Sequence, residues 1–197
     1  MDWYNDEVTQ LEKRCANLPY KPLTLFYGSS SIRMWDTLAT DFEGLQPVNL
    51  GFGGSTLAAC VWFFDRLMAP FQPERMVIYA GDNDLGDGRQ PQEVFASFQE
   101  MVTKVSSRFG DLPCYFISLK PSIARWPIVD KFRLTNSLIE NEILKHPNWH
   151  YVDIFGAMLD SSGYPEKDYF TGDGLHLSEK GYALWKQKVY SSIGDKN

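Results

Sequence analysis

The chain has 197 residues, of which 44% are hydrophobic and 22% charged, and its formal net charge is −6. This composition is ordinary for a globular protein and excludes wholesale disorder, collagen and a long coiled coil. The acidic balance argues against a basic nucleic-acid-binding face and against attraction to an anionic membrane, so we expect neither partner.

The first predicted element is an amphipathic helix near residues 5–18. It belongs to a helical extension over residues 1–20, which packs on a single domain that spans 1–197. The opening residues are acidic and polar and contain no secretory signal segment. No apolar run approaches the roughly 20 residues that span a bilayer. We therefore expect a cytoplasmic protein.

Five short apolar runs are predicted as strands, and they cover residues 23–27, 47–52, 76–80, 114–119 and 150–155. The runs are mostly continuous rather than alternating, which is typical of strands buried on both faces of a parallel sheet. Helical periodicity lies between and after them, over residues 55–68, 91–109, 130–144 and 178–193, the last with Ser178 as a candidate N-cap. This alternation predicts an α/β fold with one parallel sheet in strand order 2-1-3-4-5 and helices on both faces.

Ser30 is a candidate nucleophile because it follows the first strand in a glycine-flanked turn that leads into a helix. Ligands of open α/β sheets bind outside the carboxyl ends of the strands, where polar or glycine-rich segments follow all five runs. The helix N-terminus beside Ser30 offers free N–H groups, which suit a nucleophile whose product is an oxyanion. The alternative is that Ser29, Ser30 and Ser31 only cap a helix.

His176 is a candidate general base because Asp173 precedes it by three residues in a turn. Such spacing lets the carboxylate bind one ring nitrogen and leaves the other free to take a proton. The alternative is a surface loop followed by a helix cap.

Gly54 and Asn83 are candidate donors for an oxyanion hole. Glycine lets a backbone N–H approach a substrate closely, and asparagine offers an uncharged NH₂ donor. Residues 81–84 could instead be a plain turn. The glycine-rich residues 51–55 could cradle a phosphate, although they match neither a P-loop nor a dinucleotide-binding fingerprint.

Arg125 and Trp126 are candidate substrate-binding residues in the proline-bearing loop after the fourth strand. Arg125 could meet an anionic group, and Trp126 could stack on a sugar or an acyl chain. The alternative is a packed loop with a solvated arginine. The chain has no insertion of lid size, so we expect an open site suited to short acyl groups.

Taken together, these segments resemble the SGNH hydrolase superfamily, also called GDSL-type esterases. Four blocks of the family are similar to residues 26–30, 49–54, 81–84 and 173–177 in the same order, and the resemblance runs from about residue 23 to 190. It implies a flavodoxin-like three-layer α/β/α sandwich with a five-stranded parallel sheet. One departure is Ser29, which stands where the family usually has Asp and leaves three adjacent serines.

The resemblance implies a serine esterase that cleaves a small ester through an acyl-enzyme. Ser30 would be the nucleophile, His176 the general base and Asp173 its orienting carboxylate. The oxyanion hole would consist of the N–H groups of Ser30 and Gly54 and the amide of Asn83. No metal or organic cofactor is implied. The expected substrate is a short-chain or acetyl ester, including an acetylated carbohydrate.

Two other classes of function stay open at this point. A non-catalytic ligand-binding module could use the same fold, and the loss of the usual Asp at Ser29 favours it. A flavin- or nucleotide-binding protein shares the architecture, although no phosphate-binding loop is present. The presence of Ser30, Asp173 and His176 favours the esterase over both. The sequence carries no prediction of the oligomeric state.

Overall fold

Five parallel strands form one sheet in the computed structural model, which describes residues 1–194. The last three residues of the predicted domain, 195–197, lie outside the described residues. The strands are β1 (Thr24–Gly28), β2 (Pro47–Gly51), β3 (Arg75–Tyr79), β4 (Cys114–Ile117) and β5 (Trp149–Val152). Their order is β2-β1-β3-β4-β5 and every neighbouring pair is parallel, which confirms the predicted sheet.

Five long helices lie within two residues, at each end, of the helices that the sequence predicts. They are α1 (Asn5–Ala16), α4 (Leu57–Met68), α6 (Pro91–Phe109), α7 (Val129–Ile143) and α8 (Glu179–Gly194), and three short ones are α2 (Ser30–Arg33), α3 (Leu38–Asp41) and α5 (Asp82–Gly86). The hydroxyl of Ser178 accepts a hydrogen bond from the N–H of Gly181 at 3.2 Å, as expected for the cap of α8.

Helices cover both faces of the sheet, as the continuous apolar strands require. On one face Tyr79 of β3 packs against Trp185 of α8, with ring centroids 4.7 Å apart. On the other face Phe116 of β4 packs against Phe98 of α6, with centroids 5.1 Å apart. The result is the three-layer α/β/α sandwich that the sequence predicts.

The amino-terminal segment packs on α4 and reaches the turn after β2. The hydroxyl of Tyr4 donates to the carbonyl of Gly54 at 2.9 Å, and a carboxylate oxygen of Glu7 accepts from the N–H of Gly53 at 2.9 Å. Residues 1–16 are therefore bonded to the turn that contains Gly54. No helix within residues 1–194 is long and apolar enough to cross a membrane.

Candidate active site

The loops that follow the strands are hydrogen-bonded to one another at the carboxyl edge of the sheet. Four of these bonds run from Asn83 to Ser55, from Arg125 to Asn83, from Lys120 to Ser31 and from Ala124 to Gly174. The loops after β1, β2, β3 and β4 and the loop before α8 therefore lie together. This is the edge where parallel α/β sheets bind their ligands.

A sharp turn at Gly28 carries the chain from β1 into the serine segment. Gly28 has φ +150°, and a Cβ atom there would lie 1.9 Å from the carbonyl oxygen of Tyr79 on the neighbouring strand. That carbonyl accepts the N–H of Ser29 at 2.9 Å. Only glycine permits so close an approach, and it allows the three serines to follow β1 directly at the carboxyl edge of the sheet.

The three adjacent serines have different surroundings. Ser29 is fully buried, and its hydroxyl has no partner within residues 1–194 and caps no helix. Ser31 is 1% exposed and its hydroxyl accepts from Nζ of Lys120 at 3.2 Å. Ser30 is half-buried and is the first residue of α2. A substrate can therefore reach Ser30 but not the other two hydroxyls.

His176 and Asp173 are paired as their spacing predicts. Nδ1 of His176 lies 2.6 Å from Oδ2 of Asp173. The other oxygen of Asp173 accepts from the N–H groups of Leu175 and His176 at 2.8 and 2.9 Å and from the hydroxyl of Thr171 at 2.9 Å. Partial burial disfavours the charge, but these hydrogen bonds outweigh burial and hold the pKa of Asp173 well below its usual range. An ionised Asp173 accepts a hydrogen bond from the N–H at Nδ1, so Nε2 is the unprotonated ring nitrogen that can take a proton.

Ser30 and His176 make no hydrogen bond to each other among residues 1–194, so the contact of about 3 Å expected between a nucleophile and its general base is not formed here. Catalytic hydrogen bonds are often longer in free enzymes and tighten around a substrate. The hydroxyl of Tyr182, which follows His176 by six residues, donates to the carbonyl of Ser31 at 3.0 Å. That bond ties the start of α8 to the serine segment.

Gly54 presents its backbone to open space. Its φ of +65° lies in the left-handed region that favours glycine, and no described atom beyond its two chain neighbours lies within 4 Å of the position that a Cβ would take. The Gly54 carbonyl is already bonded to Tyr4. The N–H of Gly54 makes no hydrogen bond among residues 1–194, so it is the polar group of this residue that a ligand could use.

Asn83 lies in α5 rather than in a plain turn, and its amide is bonded at both ends. Nδ2 donates to the carbonyl of Ser55 at 3.0 Å, and Oδ1 accepts from Nη2 of Arg125 at 2.8 Å. An amide nitrogen carries two hydrogens, so one of them stays available to a ligand.

A buried ionic cluster beside Asn83 was missed by the sequence analysis. Nζ of Lys120, which is 1% exposed, lies 2.7 Å from Oδ2 of Asp82, and Nη1 of Arg125 lies 3.3 Å from the same oxygen. Burial opposes ionisation of Asp82, but Lys120 and Arg125 outweigh it and lower the pKa of Asp82. A signal existed, since a lysine at the end of an apolar run needs a carboxylate partner once it is buried.

The two candidate substrate-binding residues have different contacts. The side chain of Arg125 is 16% exposed and is paired with Asp82, so it is not a solvated arginine. The indole of Trp126 packs against Tyr164 with ring centroids 4.9 Å apart, and the guanidinium of Arg133 lies 5.7 Å from its ring. Trp126 therefore stands in an aromatic pair one residue from the ionic cluster.

The five-stranded parallel sheet in order 2-1-3-4-5 with helices around it is the fold of the GDSL or SGNH class of acylhydrolases. The model of the GDSL-like lipase/acylhydrolase family matches residues 17–184, and the chain belongs to that family. Membership supports an esterase or hydrolase activity on small-molecule esters.

Individual proteins of known sequence or structure are similar over most of the chain. Subunit alpha1 of platelet-activating factor acetylhydrolase IB from Bos taurus is 25% identical over 182 residues, which cover 88% of this chain and 75% of the relative. A structure of a GDSL-like lipase from Bacteroides thetaiotaomicron has a TM-score of 0.78 at 19% identity and covers 98% of both chains. A structure assigned as an acylhydrolase from Bacteroides fragilis has a TM-score of 0.81 at 21% identity, covering 99% of this chain and 98% of the other.

Proposed function

We propose that this protein is a serine esterase that cleaves small esters through an acyl-enzyme, with Ser30, His176 and Asp173 as its catalytic residues. The observation that carries the proposal is the 2.6 Å pair of His176 and Asp173 on the same sheet edge as Ser30, the accessible serine of its segment. A general base that is oriented by a carboxylate is what a serine hydroxyl needs to become a nucleophile.

In the first half of the reaction, Nε2 of His176 takes the proton of the Ser30 hydroxyl while Oγ attacks the ester carbonyl carbon. The imidazolium that forms is stabilised by Asp173, which stays ionised. When the tetrahedral intermediate collapses, the C–O bond to the alcohol breaks and His176 returns its proton to the leaving oxygen. Ser30 then carries the acyl group.

In the second half, water replaces the alcohol. His176 takes a proton from the water, whose oxygen attacks the acyl carbon, and the proton then returns to Ser30 as the carboxylic acid leaves. The sum is an ester and water giving an acid and an alcohol.

Three donors would hold the negative oxygen of each tetrahedral intermediate. They are the N–H of Ser30, which as the first residue of α2 has no acceptor within the helix, the free N–H of Gly54 and the remaining Nδ2 hydrogen of Asn83. Such donors act chiefly in the transition state, where the charge develops, and so they raise kcat.

A short acyl group suits the surroundings of the site. Ser30 is half-buried and the imidazole of His176 is 27% exposed, so no long apolar channel is implied. The bovine relative is named for acetyl hydrolysis, which supports an acetyl or short-chain ester, acetylated carbohydrate included. Trp126 with Tyr164 offers an aromatic surface for a sugar ring or an acyl chain. Arg125 would bind an anionic group of a substrate through its guanidinium, which is 16% exposed and already pairs with Asp82, 3.3 Å from Nη1.

The proposal is tested with 4-nitrophenyl acetate, butyrate and octanoate beside an acetylated xylose. We expect turnover to fall with chain length and to vanish in Ser30→Ala. Ser29→Ala is the matched control, because its hydroxyl makes no hydrogen bond among the described residues and its removal should leave turnover unchanged. Full activity of Ser30→Ala would contradict the proposal. A wild-type protein that binds these esters without turning them over would instead be the ligand-binding module considered above.

A further inference from the structure

We infer that Arg125 is a positioning residue that orients the amide of Asn83 toward the reacting oxygen. The inference rests on the proposed function, because it assumes that Asn83 donates to the oxyanion. It differs from the substrate-binding role that the sequence suggests for Arg125, and it starts from the contact between the two side chains, in which Nη2 lies 2.8 Å from Oδ1.

The chemistry of this contact fixes which way round the amide lies. A guanidinium only donates, so it can be matched only by the oxygen of Asn83 and never by its NH₂ group. Nδ2 must therefore point to the other side, where it donates one hydrogen to the carbonyl of Ser55 at 3.0 Å. The second hydrogen is left for the substrate oxygen. Without Arg125, only the carbonyl of Ser55 would hold the amide, and the side chain of Asn83 could rotate away from the position in which its second hydrogen meets the substrate oxygen.

The contact also strengthens Asn83 as a donor. A charged donor on the amide oxygen makes a shorter and stronger bond than a neutral one. In a low-dielectric site, linked hydrogen bonds polarise one another, so a guanidinium on Oδ1 makes the N–H of Asn83 a better donor.

Arg125 is itself held in place by buried groups. Oδ2 of Asp82 lies 3.3 Å from Nη1 of Arg125, and Asp82 is in turn bound by Nζ of Lys120 at 2.7 Å. Asp82 is 4% exposed and Lys120 1% exposed. The guanidinium is thus attached to a rigid pair rather than to a mobile surface group.

The backbone of α5 leaves room for the guanidinium only because residue 86 is glycine. A Cβ atom on Gly86 would lie 2.7 Å from both Nε and Nη2 of Arg125. Gly86 follows Asn83 by three residues, which places both on one side of the short helix. Arg125 therefore lies along the surface of α5 that carries Asn83.

A direct role in binding an anionic substrate is the competing explanation. The side chain is 16% exposed, and its charge is already paired with Asp82. Its outer nitrogens face Asn83 and Asp82, both on α5, so the observed contacts favour positioning.

The test compares a neutral ester, methyl 4-acetoxybenzoate, with its anionic counterpart, 4-acetoxybenzoate, for wild type, Arg125→Gln, Asn83→Ala and the double variant. We expect Arg125→Gln to lower kcat about tenfold on both esters and to change KM by less than about twofold. This loss of kcat is smaller than the roughly 10²–10³-fold loss that follows removal of an oxyanion donor such as Asn83. In the Asn83→Ala background, Arg125→Gln should have no further effect on kcat, because its only route to the reaction is gone.

Three further variants keep the test decisive if Arg125→Gln folds poorly. Arg125→Lys keeps a donor-only cation and should recover part of kcat. Gly86→Ala displaces the guanidinium without removing a charge and should lower kcat as Arg125→Gln does. Arg108→Gln is the matched control. Arg108 lies near the end of α6 and donates to the carbonyl of Ala69, so this variant should leave kcat unchanged.

Several outcomes would overturn the inference while leaving the esterase intact. One is a normal kcat for Arg125→Gln when Asn83→Ala is impaired, and another is that the two losses multiply in the double variant. A rise in KM for 4-acetoxybenzoate alone would make Arg125 an anion-binding residue. If Ser30→Ala or Asn83→Ala kept full activity, the proposed function would fail first, and the two failures are thereby distinguished.

Discussion

Oδ2 of Asp173 lies 2.6 Å from Nδ1 of His176, three residues further along the chain. The turn between them is fixed by the bonds that Asp173 accepts from the N–H groups of Leu175 and His176. One carboxylate therefore shapes the loop and also sets the tautomer of the imidazole. The two tasks can be separated by substitution.

Asp173→Asn should lower kcat by about 10⁴-fold while the protein stays folded, because a neutral amide no longer forces the proton onto Nδ1. Steady-state kinetics and a thermal melt would check the two parts. Asp168→Asn is the matched control, since Asp168 lies in the same loop and pairs with the exposed Lys180. If Asp173→Asn turned over esters normally, the carboxylate would serve only to shape the loop.

Gly54→Ala should affect both the stability of the fold and the rate of ester cleavage, and a control glycine separates the two effects. At φ +65° an alanine costs about 1–2 kcal/mol in unfolding free energy, and its methyl group would stand beside the N–H offered to the substrate. We expect a modest loss of stability together with a large fall in kcat. Gly88→Ala, at φ +92° and equally in open space, should lose similar stability and no activity. Equal kcat in the two variants would exclude Gly54 from the oxyanion hole.

Lys120→Met should destabilise the fold strongly, because it leaves the buried Asp82 without its nearest cation. Breaking one side of a buried ion pair costs about 3–5 kcal/mol, and the remaining pair of Arg125 with Asp82 places the expected loss at the lower end. Lys104→Met is the control, since Lys104 pairs with the exposed Asp65 and an exposed pair contributes about 0–1 kcal/mol. Urea unfolding of both variants measures the difference, and equal losses would contradict a structural role for the buried pair.

Acid should weaken the protein partly through Asp82, whose pKa is lowered because Lys120 and Arg125 outweigh its burial. A carboxyl group with a lowered pKa contributes stability fully above its unfolded pKa of about 3.9 and loses it as pH falls through the lower folded value. The unfolding free energy of wild type should therefore fall more steeply below pH 4 than that of Asp82→Asn. Parallel pH profiles for the two proteins would show that Asp82 is not linked to folding.

The strands and long helices could be predicted because each is long enough to show its period and its burial in the residues themselves. The order of the strands in the sheet was predicted from the alternation of strands and helices along the chain. The pair of Asp173 and His176 was predicted from their spacing of three residues. The short helices α3 and α5 could not be predicted, since four or five residues show no helical period, and α2 was expected only as the helix that the turn at Ser30 leads into.

The contacts around Asn83 were beyond sequence reasoning for a different reason. Lys120 and Asp82 are 38 residues apart, and Arg125 and Asn83 are 42 apart, so their pairing depends on how neighbouring strands align. Sequence could place all four at one edge of the sheet but not orient their side chains. Of the three serines Ser30 is the accessible one, and its role as the nucleophile stays a prediction.

The bonds from Tyr4 and Glu7 to the turn at Gly53 and Gly54 link the amino-terminal helix to the reactive edge. Only Val8 and Leu11 of α1 are buried, and the bonds of its polar side chains to Arg66 of α4 are exposed, so few buried contacts hold this helix. Elements with few buried contacts open locally at a lower free energy than the sheet. On heating, we therefore expect inactivation to precede the cooperative melting of the sheet. The operating temperature range of the enzyme would then be set by the docking of its first sixteen residues.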